Sequence, residues 1–549
     1  MTGGNARRTG RRADGGLRRP GAGPAPRAVV IGGGIAGLAS AALLANDGFE
    51  VDLVEATGEL GGRAGSWERD GFRFDTGPSW YLIPEVFDHF FRMLGTSSAE
   101  QLDLIRLDPA YRVFFEGQAE PLTVPASAAR IAAEFDRIEP GAGAALRRYL
   151  DSAHEAGDIA TARFLYTSFD SPRPFLSLAV LARAPRLAVL LGRSLESFVA
   201  ARFTDPRLRQ VLGYPAVFLG SSPDRTPALY HLMSAMDLDE GVFYPRGGFT
   251  AVIQAVARQA ERAGARLHTG APARRVLTTP TRSPGRRART VGVEVGTPDG
   301  GTRSLPADLV VGACDLHHLE TELLPRPLRS YPESWWSRRT SGPGAVLVML
   351  GVRGALPPLE HHTLLFTRDW DRNFSAIREG RVPDPASLYV CRPSATDATV
   401  APPGHENLFL LVPVPADPTL GRGGQDGTGS PAIEAIADAA LARVADWTGI
   451  PDLAERILVR RTVGPGDVHA DLAAWRGGAL GPAHTLRQSA MFRAGNASRR
   501  VENLLYAGSS TIPGIGLPMC LISAENVLKR VRGDRSVGPS AEPEVSRAR

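Results

Sequence analysis

An apolar run, Ala28-Val-Val-Ile31, leads directly into Gly32-x-Gly34-x-x-Gly37. The first glycine permits a tight turn, the second lets the backbone approach a pyrophosphate, and the third lets a helix pack close to the strand. The N–H groups opening that helix, with the positive end of its dipole, favour an anion. Glu55 follows Gly37 by 18 residues and ends a second apolar run, Val51-Asp-Leu-Val-Glu55. A carboxylate there can accept from ribose hydroxyls. Strand, turn, helix, strand and acid thus stand in the order of a dinucleotide site; the alternative is a glycine-rich turn without ligand. A second such unit closes the chain: Leu504-Leu-Tyr-Ala-Gly508, a Pro/Gly turn, then Gly516-Leu517-Pro518 opening a helix. Proline suits a first helical turn, and this helix start again aims N–H groups at a negative group.

The elements needed to position these turns can be read along the chain. Residues 28–80 form the βαβ core. Helices are expected at 129–158, 175–203 and 226–236, then from Phe249 to Ala263. Strands are expected at Ala265–His268, Ala273–Leu277 and Leu305–Ala313, with 279–289 as an exposed hairpin loop. Ala345–Gly351 and Leu408–Val414 read as strands of a second sheet, and Ile433–Thr448 and Leu517–Val531 as helices. This divides the chain into a basic arm (1–26), cofactor-domain pieces (27–128, 241–330, 486–532), a helical substrate or membrane segment (129–240), a substrate domain (331–485) and a flexible tail (533–549). The fold class is α/β.

Composition narrows the partners. The 549 residues include 43% hydrophobic side chains, enough for a large core and two or three domains. The net charge of +5 is concentrated: residues 1–27 carry +6, leaving the body near −1. A neutral body argues against a nucleic-acid groove. Cys314, Cys391 and Cys520 have no metal spacing and suit a reducing cytosol. His361 and His362 are adjacent in an expected strand, so they should point to opposite faces and chelate poorly; no metal site is expected. No apolar run reaches the ~20 residues of a spanning helix. Phe175–Leu191, interrupted by Arg183, Pro185 and Arg186, reads as an amphipathic or lid helix on a membrane surface, or as a buried domain helix.

Gly61-Gly62-Arg63 and Asp75-Thr-Gly-Pro78, close behind Glu55, resemble the FAD-containing amine oxidase and carotenoid desaturase superfamily. With Tyr244-Pro-Arg-Gly-Gly248, Gln488-Ser-Ala-x-Phe-Arg493 and Gly508 through Pro518, the chain from about Arg27 to Val531 resembles the bacterial-type phytoene desaturase family. Departures are Ile512 where the family often has histidine, Met491 where it often has tryptophan, and Ala313-Cys-Asp315 for Asn-Ala-Asp. The resemblance implies a discontinuous Rossmann-like FAD domain with an inserted helical segment and a mixed-sheet substrate domain. It also implies cofactor contacts from Gly32, Gly34, Gly37, Glu55, Gly62, Arg63, Arg246, Val276, Gly508, Gly516, Leu517 and Pro518.

The implied activity is stepwise dehydrogenation of phytoene toward lycopene or a related polyene, with hydride passing to flavin N5 and a proton leaving the adjacent carbon. The implied partners are a hydrophobic polyene, quinone or oxygen as electron acceptor, and the inner face of the cell membrane as a peripheral surface. The oligomeric state is left open. Arg183 is the catalytic candidate, placed in a leaving-proton network or against a quinone or lipid phosphate; its alternative is snorkelling to solvent. Arg246 has a structural salt bridge as its alternative, Asp315 a helix cap, and Trp335 and Trp336 a place in the core. A related carotenoid isomerase, ketolase or oxidase, and a carrier without catalysis, stand as alternatives. An amine oxidase fits less well, because no aromatic pair to cage an amine is evident.

Overall fold

The computed structural model describes residues 24–169, 180 and 182–543. Its first layer is a five-stranded, all-parallel sheet in the order Leu504–Tyr506, Leu309–Gly312, Arg27–Ile31, Glu50–Val54, Arg266–His268. The register matches Ile31 with both Val54 and Gly312, and Gly312 with Tyr506. The carboxyl ends of four strands therefore finish on one line, and both glycine turns leave from that edge. This is where open α/β sheets place their ligand crevice.

The helix Ile35–Asn46 packs on this sheet between the helices Phe249–Arg262 and Leu517–Arg532. It is buried on nearly every side, which explains its Ala-rich sequence. Burying each of Leu38, Leu43 and Leu44 contributes about 2 kcal/mol, and all three are at most 2% exposed.

The second layer is a seven-stranded sheet in the order Ile457–Val463, Gly344–Arg353, His405–Val414, Leu388–Cys391, His362–Phe366, Tyr111–Phe115, Leu122–Val124. Only the pair His362–Phe366 and Tyr111–Phe115 is parallel. Alternation divides it cleanly. Val346, Val348 and Leu350 face the helix Pro431–Thr448, while Leu347, Met349, Leu364, Tyr389 and Cys391 face a helical layer.

Several elements differ from the sequence expectation. The helix expected over 129–158 is two, Ala128–Ile138 and Ala142–Ala160, broken at Glu139-Pro-Gly141 where Gly141 has φ +87°. The helix expected over 175–203 has residues 175–179 and 181 outside the described set; the remainder splits into Ala184–Gly192 and Leu195–Ala200, because Ser194 caps the second. Residues 228–240 form short 3₁₀, α and π turns. Leu305–Ala313 is two strands in different sheets, Thr302–Pro306 and Leu309–Gly312. Part of the tail is pinned: the Ser540 N–H donates to Glu525 Oε1 at 2.6 Å, and Glu542 pairs with His89 at 2.9 Å.

Candidate functional site

The first helix opens at Gly34 with no capping side chain. Its N–H donors are thus left for something other than the protein's own side chains. A Cβ at Gly37 would stand 1.9 Å from the Gly32 carbonyl oxygen, so only glycine lets helix and strand approach this closely. Glu55 closes the turn from the side: Oε2 accepts from the Gly33 N–H at 2.6 Å, and Oε1 from the Thr57 N–H at 2.9 Å. Gly61 pairs with Gly34, its N–H donating to the Gly33 carbonyl at 2.9 Å. Gly62 and Arg63 follow in a single helical turn. Arg63 Nη2 reaches Asp315 at 3.4 Å, while its buried Nε has no partner.

The closing turn meets this cradle directly. A Cβ on Gly508 would lie 3.8 Å from Ala36 Cβ at the start of the first helix. The closing helix begins at Gly516, φ +110°, again with no side-chain cap. Leu517 and Pro518 are half-buried, whereas the rest of that helix is mostly buried. Two long helices that pack on one another therefore both open without a side-chain cap.

What holds the closing turn was not legible in the motif itself. Arg493, buried among the cores, donates from Nε to the Thr511 carbonyl at 3.1 Å, from Nη1 to the Gln488 carbonyl at 3.2 Å, and from Nη2 to the Ser509 carbonyl. Burial pushes its guanidinium down to about 10, still charged at neutral pH. The Gln488 amide braces Thr340 and Ala483. His484 Nε2 accepts from the Ile515 N–H at 3.2 Å, and burial holds that ring well below its ordinary range.

Asp75 and Asp397 join the cradle to the rest of the chain. Asp75 accepts from the Phe249 and Thr250 N–H groups at 2.8 and 3.1 Å, capping a helix 174 residues away in the chain. Burial raises its carboxyl to about 6. Asp397 accepts from the Gly247 N–H and the Tyr244 hydroxyl. The Asp-Thr-Gly-Pro and Tyr-Pro-Arg-Gly-Gly motifs are thus clamped together by carboxylates.

Beyond Gly77, which packs on the Arg63 carbonyl, lies an aromatic wall. Trp80 stacks on His362 with centroids 4.3 Å apart and planes at 9°, and it abuts Tyr111, Tyr214, Phe218 and Tyr389. The Tyr389 hydroxyl joins Ser79 Oγ and His362 Nδ1, each at 2.7 Å. Beside the wall, Asp237 Oδ2 accepts from the Tyr214 and Tyr111 hydroxyls at 2.5 and 3.1 Å, and burial raises its carboxyl to about 7. Residues so far apart in sequence carry no local signal.

Gly32, Gly34, Gly37, Glu55, Gly62, Arg63 and Gly508 lie together at the carboxyl edge of the parallel sheet, and Gly516, Leu517 and Pro518 open the closing helix, which packs along the first. Three expected residues stand elsewhere. Arg246 is half-exposed and pairs with Asp103 at 2.6 Å. The Val276 N–H donates to the Leu323 carbonyl, and its side chain joins the core on the other face of the parallel sheet. Arg183 is exposed and pairs with Glu155 at 3.2 Å. The expectation that His361 and His362 diverge is also corrected. His361 precedes the strand, so pleating does not separate the two, and their ring centroids lie 4.6 Å apart.

A flavin dinucleotide fits these residues: two uncapped helix starts suit its anionic groups, and the unpartnered Arg63 Nε has a donor to give. The comparisons agree. The family described as flavin containing amine oxidoreductase matches residues 35–531. A carotenoid 3,4-desaturase of Haloarcula japonica is 41% identical over 506 residues, 92% of this chain and 98% of the relative. A zeta-carotene-forming phytoene desaturase of Myxococcus xanthus is 36% identical, covering 92% and 93%. A solved putrescine oxidase variant shares the fold at TM-score 0.57 and 16% identity, over 93% of this chain and all of that one.

Proposed function

The chain belongs to the flavin containing amine oxidoreductase family, and from that premise we propose that it is a FAD-dependent carotenoid desaturase acting on phytoene. The observation that carries this reading is the aromatic wall around Trp80, three residues past Gly77, which packs on the Arg63 carbonyl of the glycine cradle. A hydrocarbon polyene needs broad apolar surface, which the ring faces around Trp80 offer.

Bound FAD supplies a two-electron sink that takes up a hydride. The chain's own residues bind and tune. Glu55, beside the first turn, suits ribose hydroxyls; the helix starts at Gly34 and Gly516 suit the diphosphate and the edge of the ring system that gains negative charge. The buried Arg493 cation behind the closing turn adds positive potential on the same side. The aromatic faces around Trp80 exclude water and favour positive charge developing on the substrate carbon.

Exposed Val189 and Leu191, between Arg186 and Arg193, support delivery of the polyene from an anionic membrane surface on the inner face of the cell. No helix among the described residues is long and apolar enough to cross a membrane. Quinone or oxygen then serves as acceptor.

A second reading, dehydrogenation of the 3,4 bond of an already conjugated carotenoid, is favoured by the name of the Haloarcula relative. Anaerobic incubation of the FAD-loaded protein with phytoene or lycopene in liposomes separates them. Flavin bleaching with a lengthened chromophore from phytoene is expected. Bleaching with lycopene alone selects the second reading, and bound polyene without bleaching in either case leaves a carrier.

A further inference from the structure

His361, His362 and Cys391 are 4%, 0% and 2% exposed, and one ligating atom from each lies within 4.8 Å of the others. His362 and Cys391 are cross-strand partners in the seven-stranded sheet, which fixes their separation. His361 is carried over them from the residue before that strand.

Each imidazole shows the same asymmetry. His361 Nδ1 pairs with Thr396 Oγ1 at 2.8 Å, and His362 Nδ1 with the Tyr389 hydroxyl at 2.7 Å. In both rings Nε2 is buried and has no hydrogen-bond partner. Leaving a buried polar atom unpaired is costly, so two in adjacent side chains call for an occupant. An imidazole held at one nitrogen and bare at the other is prepared for a metal, because the outer partner fixes its tautomer and orientation. A cavity of about 10 Å³, enough for one water-sized body, adjoins the cluster and is lined by His361, Cys391, Ser79 and Tyr244.

We infer that His361, His362 and Cys391 form a binding site for a single zinc-class divalent cation, bracing the strands His362–Phe366 and Leu388–Cys391 at the aromatic wall to which His362 belongs. Two imidazoles and a thiolate suit zinc, with the fourth position left to water. Ligand atoms around tetrahedral zinc stand roughly 3.5 Å apart, so closing the cluster takes roughly half an ångström of movement per side chain. On binding, the sulfur–metal bond replaces the thiol S–H bond and the proton leaves to solvent. The site is separate from the glycine cradle and does not depend on which polyene the enzyme uses.

The test uses the tag-free, FAD-loaded full chain. After exposure to Zn²⁺ and gel filtration, mass spectrometry of the metal should find one zinc per chain. Titration with Co²⁺ should give the thiolate-to-cobalt absorption of a tetrahedral site. Cys391→Ala should abolish that band and weaken Zn²⁺ at least 100-fold. Thr396→Val, which releases only His361 Nδ1, should weaken it about 10- to 100-fold. The double variant Cys314→Ser with Cys520→Ser should keep the band, so the source of the thiolate is decided even if Cys391→Ala does not fold. No retained zinc and no cobalt band in the wild type would overturn the inference, as would a band that vanishes in the double variant.

Discussion

Replacing Arg493 with methionine tests whether the closing turn is held from behind. The change removes three donors from the carbonyls of Gln488, Ser509 and Thr511, in a place from which water is excluded. At about 1 kcal/mol for each stranded acceptor, the loss is about 3 kcal/mol. Methionine replaces much of the stem volume, so the cost falls on the turn from Gly508 to Pro518 rather than on core packing. If half or more of that energy is needed to hold the turn against the cofactor, FAD affinity falls about 10- to 100-fold. Arg493→Lys should sit between, because one ammonium cannot match the planar fork that spans the three carbonyls. Titrating apoprotein with FAD and following flavin fluorescence reads the affinity; urea unfolding of the apoprotein reads the stability. An Arg493→Met protein that binds FAD within twofold of wild type, with an unchanged urea midpoint, would refute the bracing role.

Gly37→Ala should fold poorly and purify without yellow colour, since its Cβ would stand 1.9 Å from the Gly32 carbonyl oxygen; absorbance of bound flavin per chain checks this. Arg183→Ala and Arg246→Ala should each retain desaturation within about threefold of wild type, because ion pairs as exposed as theirs are screened by solvent and contribute little. Asp237 carries a pH signature. Burial raises its carboxyl from an ordinary 3.8 to about 7, so the stability kept by its proton is fully present below about pH 4 and lost as pH rises from there through 7. Asp237→Asn keeps an acceptor for Tyr111 and Tyr214 and removes the buried charge. Its urea midpoint should vary less between pH 4 and 8 than that of wild type, and should exceed it at pH 8.

Local steric demands left a clear trace in the sequence. Gly32, Gly34 and Gly37, and later Gly508 and Gly516, stand where consecutive residues alone decide whether a strand can turn into a helix. That is why both strand–turn–helix units are legible in the chain itself. The helix starting at Phe249 and the strand ending at Gly312 were legible for the same reason, since apolar periodicity is a property of neighbours in the chain. The seam between Pro306 and Leu309 was not. Both sides are apolar, and only the pairing partners separate them into two sheets.

The tertiary structure alone decided how side chains distant in sequence meet. Asp75 caps a helix that begins 174 residues later, Arg493 grips the carbonyls of a turn it does not belong to, and Tyr389 ties Ser79 to His362. Strand alternation predicted that His361 and His362 would part; the strand starts one residue later and the rings converge. Arg183 is the sole charge between Phe175 and Pro185 and Arg246 stands just before Gly247-Gly248, but carboxylates remote in the chain claim both. The sequence by itself therefore determined the backbone turns that can cradle an anion, because their requirement is written in adjacent residues. The walls, braces and charge partners were decided by the fold, because hydrogen bonds, ion pairs and burial depend on distances that the chain only acquires when its sheets and helices pack together.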